Sequence, residues 1–466
     1  MKKLCEIINC EYDTLITGIE TDSRYVKEGN LFVAVKGFFT NHEDFIPMAI
    51  ENGASAVVCE SDLELEVPCI KVDDVNSELY NILKKYYDNV QDNFKFIGVT
   101  GTDGKTTTAT IISDILDCGY IGTNGVVYKD YYENATITTP EICELYRILT
   151  RLKDKGCKTL VMEVSSEALL HDRVKDIKYD IACFTNITED HLNIHKTKEN
   201  YVNSKIKLFT LVKDNGFSIL NRDDENYHNV EKNSNGEIIS YGIDSNSDFK
   251  ISNIVNNNGK TSFDLYNDNK IYHINSKLPF IYNTYNLSLA FIVCMKYGMN
   301  IDEIINKISM IDNIPGRCEI LDFGQNYTIM LDYAHTFNSI KKLVDEVNKE
   351  NYNKVIVVTG AAGGREKEKR KLIGSYLLDN TDLTIFTMDD PRYESVDSIT
   401  DDLIGDSTKT NYLRINNRED AIKKAFDIAE ESDIVLVIGK GRDNYMAIED
   451  KKLPYCDYDV IKNYFD

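Results

Sequence analysis

Ile97-Gly98-Val99-Thr100-Gly101-Thr102-Asp103-Gly104-Lys105-Thr106-Thr107-Thr108 decides how this chain is read. The apolar run from Phe94 to Val99 predicts a buried strand. A glycine-rich turn follows, then a Thr/Ala/Ile stretch with helical spacing. Strand, turn and helix in that order make a phosphate cradle. Glycine lets backbone N–H groups approach an oxyanion, and the helix start adds the positive end of its dipole. Lys105 can reach the β- and γ-phosphates, and the Thr106 hydroxyl can ligate Mg²⁺. The strict pattern G-x-x-x-x-G-K-[ST] fails, because Val99 stands where its first glycine would be. The narrower form G-T-x-G-K-T points to a particular kind of ATP user. An ordinary glycine turn does not explain a Lys-Thr pair at a helix start after a buried strand.

The remaining chain frames this loop. Its 466 residues are too many for one core and predict two to four domains. A hydrophobic content of 42% and a charged content of 28% are those of a soluble globular protein. No apolar run approaches the roughly 20 residues that span a bilayer, so no stable membrane insertion is expected. The start, Met1-Lys2-Lys3-Leu4-Cys5-Glu6-Ile7, meets an acid at once and is not expected to be a secretory signal. A net charge of −23 argues against nucleic acid as a partner. It also means that any phosphate-bearing ligand needs a locally positive pocket. The 11 cysteines lack a C-x-x-C pair, so reduced thiols and a cytoplasmic location are expected, and a zinc site is not.

Residues 1 to about 90 alternate short strands (31–35, 56–59) with helices (45–52, 75–87), and the polar run 88–93 reads as a linker. In the middle region, 159–164 and 180–185 read as buried strands with polar ends. Ligands in such sheets bind beyond the carboxyl ends of the strands, which would gather Glu163, Ser165, Asn186 and His191 beside the phosphate loop. Residues 236–276 read as a small antiparallel excursion, and 284–295 as helix. Ile314-Pro315-Gly316-Arg317 marks a second boundary. Strands at 328–331, 354–358, 383–386 and 434–438, separated by helical stretches, predict a third α/β unit with a mostly parallel sheet. The expected domains are therefore 1–91, 92–314 and 315–466.

Several motifs admit two readings. Glu163 at a strand end suits Mg²⁺ or caps the next helix. His191 and His195 at i, i+4 would face one way on a helix and could hold a metal, or serve as structural hydrogen-bonders. The basic cluster Arg365, Lys367, Lys369, Arg370, Lys371 is either a solvated helix face or the required positive pocket. Arg392, after the Pro391 turn, is either a carboxylate clamp or a surface ion pair.

Together these pieces resemble the Mur ligases, ATP-dependent amino-acid ligases of peptidoglycan synthesis, and among them the MurE type. Thr21-Asp22-Ser23-Arg24 with Gly29-Asn30-Leu31-Phe32-Val33-Ala34 resembles the family's uridine-binding unit, and 101–107 its ATP loop. Thr138-Thr139-Pro140-Glu141, Glu163-Val164-Ser165-Ser166, Arg173 and 188–195 follow in the family's order. So do Asn283-Thr284-Tyr285-Asn286, Pro315-Gly316-Arg317, Asp332-Tyr333-Ala334-His335 and Gly439-Lys440-Gly441. The resemblance implies a three-domain α/β architecture with a central ATP-binding domain and a Rossmann-like C-terminal domain. It implies that Gly101, Thr102, Asp103, Gly104, Lys105, Thr106, Thr107, Asn286, Arg317, Asp332 and His335 hold the nucleotide. Thr106, Glu163, His191 and a carbamylated Lys205 would bind Mg²⁺, with Lys105, Lys205, Glu163 and His191 carrying catalysis. Ser23, Thr138, Thr139, Ser165 and Arg173 would hold the UDP-N-acetylmuramoyl dipeptide. Arg365, Asp390, Arg392, Gly439 and Asp443 would hold the incoming diamino acid. The expected protein is a monomer that makes an amide through an acyl phosphate.

The departures from the family pattern fall in the substrate pockets. Asp103 stands for Asn, Glu167 for His, Phe38-Phe39-Thr40 for a more polar stretch, Phe337 for Pro, and Arg442-Asp443 for His-Glu. Arg392 matches the form associated with meso-diaminopimelate rather than lysine. Two other readings stay open: a divergent relative joining a different amino acid or acceptor outside the main cell-wall pathway, and a nucleotide-binding regulator without catalysis.

Overall fold

Parallel strands need long crossovers, so their carboxyl ends collect the loops at one edge of a sheet. This chain uses that rule three times. The computed structural model describes residues 1–37, 41–135, 137–188, 190, 192–244, 246–257, 259–365 and 367–466. It divides into two compact units, one of residues 1–102, 116–220 and 226–238, the other of residues 103–115, 221–225 and 239–466.

The first unit opens with a parallel four-stranded sheet, Gly18–Glu20, Asn30–Val33, Ala54–Cys59 and Cys69–Lys71 in that order. The helices Ile46–Glu51 and Val75–Tyr86 match the sequence reading closely. Residues 88–93, read as a linker from their polarity, form an ordered turn. Asp88 and Asn89 take left-handed φ of 51° and 50°, Val90–Asn93 forms a 3-10 turn, and Val90 is buried in the core. One apolar residue among polar neighbours was enough to fix the segment.

The second sheet of this unit runs Tyr131–Glu133, Gly125–Tyr128, Gly119–Gly122, Thr159–Glu163, Lys95–Thr100, Tyr179–Phe184 and Val212–Asn221. It is antiparallel over the first three strands and parallel from there on. The central strands are buried nearly end to end, as continuous apolar runs between two helical layers must be. Register pairs Glu163 with Val99 and Phe184 with Thr100. The turns after Thr100, Glu163 and Phe184 therefore lie side by side.

In the second unit the strands Phe249–Asn257, Lys260–Asn267 and Lys270–Ser276 form an antiparallel meander, while Tyr241 and Gly242, inside the stretch expected to be antiparallel throughout, pair in parallel with Phe249 and Lys250. The helix Tyr282–Tyr297 follows and ends at Gly298, whose φ of 104° suits a left-handed cap. A six-stranded sheet then runs Glu319–Leu321, Thr328–Asp332, Ile434–Ile438, Val355–Thr359, Leu383–Phe386 and Tyr412–Arg414, parallel except at its first pair. Its carboxyl edge collects the loops 333–335, 360–365, 387–392 and 439–443.

One buried ion pair anchors that edge. Arg418 and Asp457 are both fully buried, with Arg418 Nε and Nη2 donating to the two carboxylate oxygens at 2.8 and 2.7 Å. Arg418 Nη2 also donates to the Ile438 carbonyl at 2.9 Å. Asp457→Leu is expected to cost about 3–5 kcal/mol, because it strands a buried guanidinium. Adding Arg418→Met should return part of that loss. Urea unfolding of the single and double variants measures both, and a loss under about 1 kcal/mol in the single variant would contradict the assignment.

Candidate active site

The phosphate loop is shaped by close approaches that leave no room for a Cβ. At Gly101 an added Cβ would sit 1.8 Å from Thr185 Oγ1, and at Gly104, with φ +83°, 2.5 Å from Asn286 Oδ1. The helix Lys105–Leu116 starts directly after this left-handed residue. Thr102 Oγ1 accepts from the Thr188 N–H at 3.0 Å and pairs with the Tyr201 hydroxyl at 3.0 Å, so the loop is tied to the adjacent strand's turn.

Within the first unit, Lys205 on the helix Lys198–Thr210 is 2% exposed and donates from Nζ to the Gly101 carbonyl at 2.7 Å. The Tyr201 ring lies 4.6 Å from the same nitrogen. Glu163 is fully buried and accepts from the Tyr120 hydroxyl and from the Thr123 N–H at 2.9 Å. Its side chain touches down so closely on Gly122 that a Cβ there would sit 2.3 Å from Oε1. Thr139 donates to the Glu163 carbonyl at 2.8 Å and accepts from the Ser165 N–H at 3.0 Å. Thr138 Oγ1 pairs with Thr123 Oγ1 at 3.3 Å. Ser165 caps the helix Ser166–Leu170, and Arg173 pairs with Glu141 at 2.6 Å. Ser23 belongs to the N-terminal sheet region, buried, with its hydroxyl on Met48 Sδ.

The expected i, i+4 pairing of His191 with His195 falls in part on a residue that lies outside the described ones. The helix there is only Leu192–His195, and His191 lies outside the described residues, as do Phe38, Phe39 and Thr40. His195 is buried, with Nε2 on Ser166 Oγ at 3.0 Å and its ring on Tyr201. Among the described residues no group of three or more His, Cys, Asp or Glu could hold a metal ion.

In the second unit, Arg317 Nη2 donates to Thr106 Oγ1 at 3.0 Å. Asn286, 8% exposed, accepts from the Thr108 hydroxyl at 3.2 Å, and Thr107 is buried on the same helix. Asp332 is used by the chain itself. Its oxygens accept from the N–H groups of Cys318 and Ala334, both at 2.7 Å. His335 is exposed, with Nδ1 on the Tyr333 carbonyl.

The loops of the C-terminal sheet bring together a cluster of charged side chains. Lys440, only 1% exposed, donates to Asp390 at 2.9 Å and lies 3.5 Å from Asp443. Asp390 Oδ1 also accepts from the Ala447 N–H at 2.8 Å. Burial pushes the Asp443 carboxyl above its usual range, against the opposing Lys440 charge and Tyr333 hydrogen bond. Gly439 packs on Asp389, with no room for a Cβ. Asp390 and Arg392 flank Pro391 with left-handed φ of 45° and 52°. That strained turn is held by Arg392 N–H on the Ala447 carbonyl and Glu449 N–H on the Arg392 carbonyl. The Arg392 side chain is exposed and has no ion-pair or hydrogen-bond partner among the described residues.

Two sequence readings change here. The basic cluster is neither a uniform solvated face nor a uniform pocket. Arg370 is 2% exposed and binds Glu394 and Asp402, Lys371 pairs with Asp406 at the surface, and Arg365 is exposed. Arg442, a departure from the family pattern, is engaged by Glu319 (Nε–Oε2 2.9 Å) and lies over the Tyr458 ring at 3.4 Å. Lys440, Tyr333, Glu394, Tyr120 and Thr123 were not singled out from the sequence. Lys440 and Tyr333 stood inside quoted motifs, but only their long-range partners reveal what they do.

Three segments match Mur ligase models: residues 15–91 the Mur ligase family, catalytic domain, 99–294 the Mur ligase middle domain, and 316–441 the Mur ligase, glutamate ligase domain. The chain belongs to the Mur ligase family, a family of ATP-dependent ligases with a three-domain α/β architecture. Relatives matched over nearly the full chain include ligases of the MurE type. It is 36% identical over 460 residues to the UDP-N-acetylmuramoyl-L-alanyl-D-glutamate–2,6-diaminopimelate ligase of Clostridium botulinum, covering 96% of this chain and 94% of the relative. To the enzyme of the same name from Clostridium tetani it is 35% identical, covering 99% and 97%. A solved structure of a ligase of that name superposes with a TM-score of 0.69 at 25% identity, covering 100% of this chain and 99% of the other.

The turn carrying Arg392 rests on Glu394. Hydrogen bonds from Arg370 and from the Gly364 N–H hold the Glu394 carboxyl far down, at about 2. Its folded value lies below its unfolded one. The stabilisation is therefore complete above the ordinary carboxylate range and is lost as pH falls toward 2. Glu394→Gln should lower the urea midpoint at pH 7, and the gap to the parent should close steadily between pH 5 and pH 2. A gap independent of pH would contradict this.

Proposed function

We propose that this protein adds meso-diaminopimelate to UDP-N-acetylmuramoyl-L-alanyl-D-glutamate in peptidoglycan synthesis. The acceptor carboxylate takes a phosphoryl group from ATP to become an acyl phosphate, the incoming amine attacks its carbonyl carbon, and phosphate leaves from a tetrahedral intermediate. Residues 1–91 would bind the UDP-sugar, 92–314 the nucleotide, and 315–466 the amino acid. The family matches at 15–91, 99–294 and 316–441 support that division. Eleven free cysteines, and no helix among the described residues long and apolar enough to cross a membrane, agree with a cytoplasmic enzyme.

The observation that carries the choice of amino acid is Arg392, two positions after Asp390 of the Asp390–Lys440–Asp443 cluster, exposed and with no side-chain partner among the described residues. Two carboxylates around one ammonium leave a net negative charge, which suits the far ammonium of a diamino acid. Arg392 offers a planar fork that matches the far carboxylate of diaminopimelate in two bonds. Lysine has the ammonium and lacks that carboxylate.

The loop where a Cβ has no space at Gly101 or Gly104 fits the close backbone approach that a nucleotide phosphate requires. Lys105 at the helix start and Arg317 beside Thr106 would balance phosphate charge. The Glu163 carboxylate and the Thr106 hydroxyl are hard oxygen donors of the kind Mg²⁺ takes, with His191 and Lys205 in the proposed set. When bound, Mg²⁺ would neutralise charge on the transferring phosphoryl group. Carbamylation would turn the Lys205 amine into an anionic oxygen donor. The nitrogen would keep one N–H, so its bond to the Gly101 carbonyl could persist.

Phosphate release from ATP and the UDP-sugar dipeptide, with single amino acids added in turn, tests this reading. Diaminopimelate should support turnover with a kcat/KM at least about tenfold above lysine. Arg392→Ala should raise the KM for diaminopimelate about tenfold to a hundredfold, as expected for losing a charge-assisted pair, and narrow its advantage over lysine. Equal use of the two amino acids by the parent enzyme would overturn the specificity.

Lys205→Ala should lose at least about a hundredfold in kcat, since it removes an anion expected at the metal. Bicarbonate should not restore it, while a small carboxylate supplied in trans should do so in part. Parent-level activity in a folded Lys205→Ala variant would exclude the carbamate.

A further inference from the structure

Tyr333 follows the strand Thr328–Asp332 and is pinned on every side within the second unit. Its N–H donates to the Gly316 carbonyl at 3.0 Å, which places its backbone beside that of Arg317. Its hydroxyl donates to Asp443 Oδ1 at 2.8 Å. One edge of its ring lies against Gly441, where a Cβ would sit 2.7 Å from Cδ2. The guanidinium of Arg317 lies 4.9 Å from the ring centroid.

Arg317 is the unusual member of this set. Its guanidinium is half-buried and forms no ion pair with a carboxylate among the described residues. Its only hydrogen-bond acceptor there is Thr106 Oγ1, on the phosphate loop, at 3.0 Å. A cation without a counter-ion is held in place by whatever surface it rests on, and here that surface is the Tyr333 ring. The ring in turn is oriented by the bond from its hydroxyl to Asp443. Asp443, Tyr333, Arg317 and Thr106 thus form one contiguous line from the charged cluster of the C-terminal sheet to the nucleotide loop.

We infer that Tyr333 is a positioning residue through which Asp443, in the amino-acid pocket, sets the nucleotide affinity of the phosphate loop by holding Arg317 against Thr106. The inference rests on the nucleotide reading of Arg317 and Thr106 above. It needs no movement of one unit against the other, because all four residues belong to the second unit. It also gives Asp443 a task before any amino acid arrives. The carboxylate orients a ring whose other face serves a different ligand.

The test is the Kd of a non-hydrolysable ATP analogue, measured by calorimetry with no amino acid present. The parent is compared with Arg317→Ala, Tyr333→Phe, Asp443→Ala and the Tyr333→Phe/Asp443→Ala double variant. Tyr333→Phe keeps the ring and its volume and removes only the hydroxyl, so its fold is retained, which its thermal midpoint checks. Tyr333→Phe and Asp443→Ala should each weaken binding about threefold to tenfold, and the double variant no more than the weaker single, because they cut one line. In turnover Tyr333→Phe should raise the KM for ATP with kcat within about twofold of the parent. If Arg317→Ala weakens binding while the other two singles leave it unchanged, or if their effects multiply, the line does not exist and the inference falls. If Arg317→Ala itself leaves binding unchanged, the nucleotide reading of Arg317 falls, and the inference with it.

Discussion

Everything chemical in this protein depends on parallel strand register. A parallel pair cannot be closed by a tight turn, so each strand is followed by a crossover, and the turns after successive strands emerge at one edge. Glu163 opposite Val99 and Phe184 opposite Thr100 put three turns side by side in the first unit. Thr328 and Val355, both opposite Ile434, do the same for the C-terminal sheet. A slip of one residue in either register would point Glu163 or Asp332 to the other face of its sheet.

Charge is the second organising constraint. The chain carries 76 acidic and 53 basic side chains, so cations are scarce and their assignments matter. Arg418 and Arg370 are consumed by the fold, buried against Asp457 and against Glu394 and Asp402. Arg442 is consumed by Glu319 and Tyr458. Arg317 and Arg392 have no carboxylate partner among the described residues. In an acidic protein such cations can meet an anionic group, and Arg317 and Arg392 belong to the proposed nucleotide and amino-acid sets.

The fold was legible wherever the signal was local. Continuous apolar runs became parallel strands at 95–100, 159–163, 179–184, 355–359 and 434–438, and 249–276 became an antiparallel meander, though Glu237–Gly242 before it pairs in parallel. The polar run 88–93 is ordered into a turn, because Val90 and Gln91 are buried within it. His195 was legible only as a spaced histidine, and its burial against Ser166 and Tyr201 comes from contacts outside its own segment.

The sequence by itself determined the phosphate-loop motif, the positions of the central strands along the chain and the family, because each is written in residues adjacent along the chain; the order of those strands in their sheets came from the fold. The tertiary structure alone decided which charged side chains are free. Arg370 and Arg392 look alike as arginines of the C-terminal region, yet one is buried in an ion-pair cluster and the other has no side-chain partner among the described residues. Tyr333 and Asp443 are 110 positions apart, and only the fold puts a hydroxyl 2.8 Å from a carboxylate. Partnering of this kind depends on contacts between residues distant in sequence, and the free energy of burying a charge is set by those contacts rather than by the residue itself.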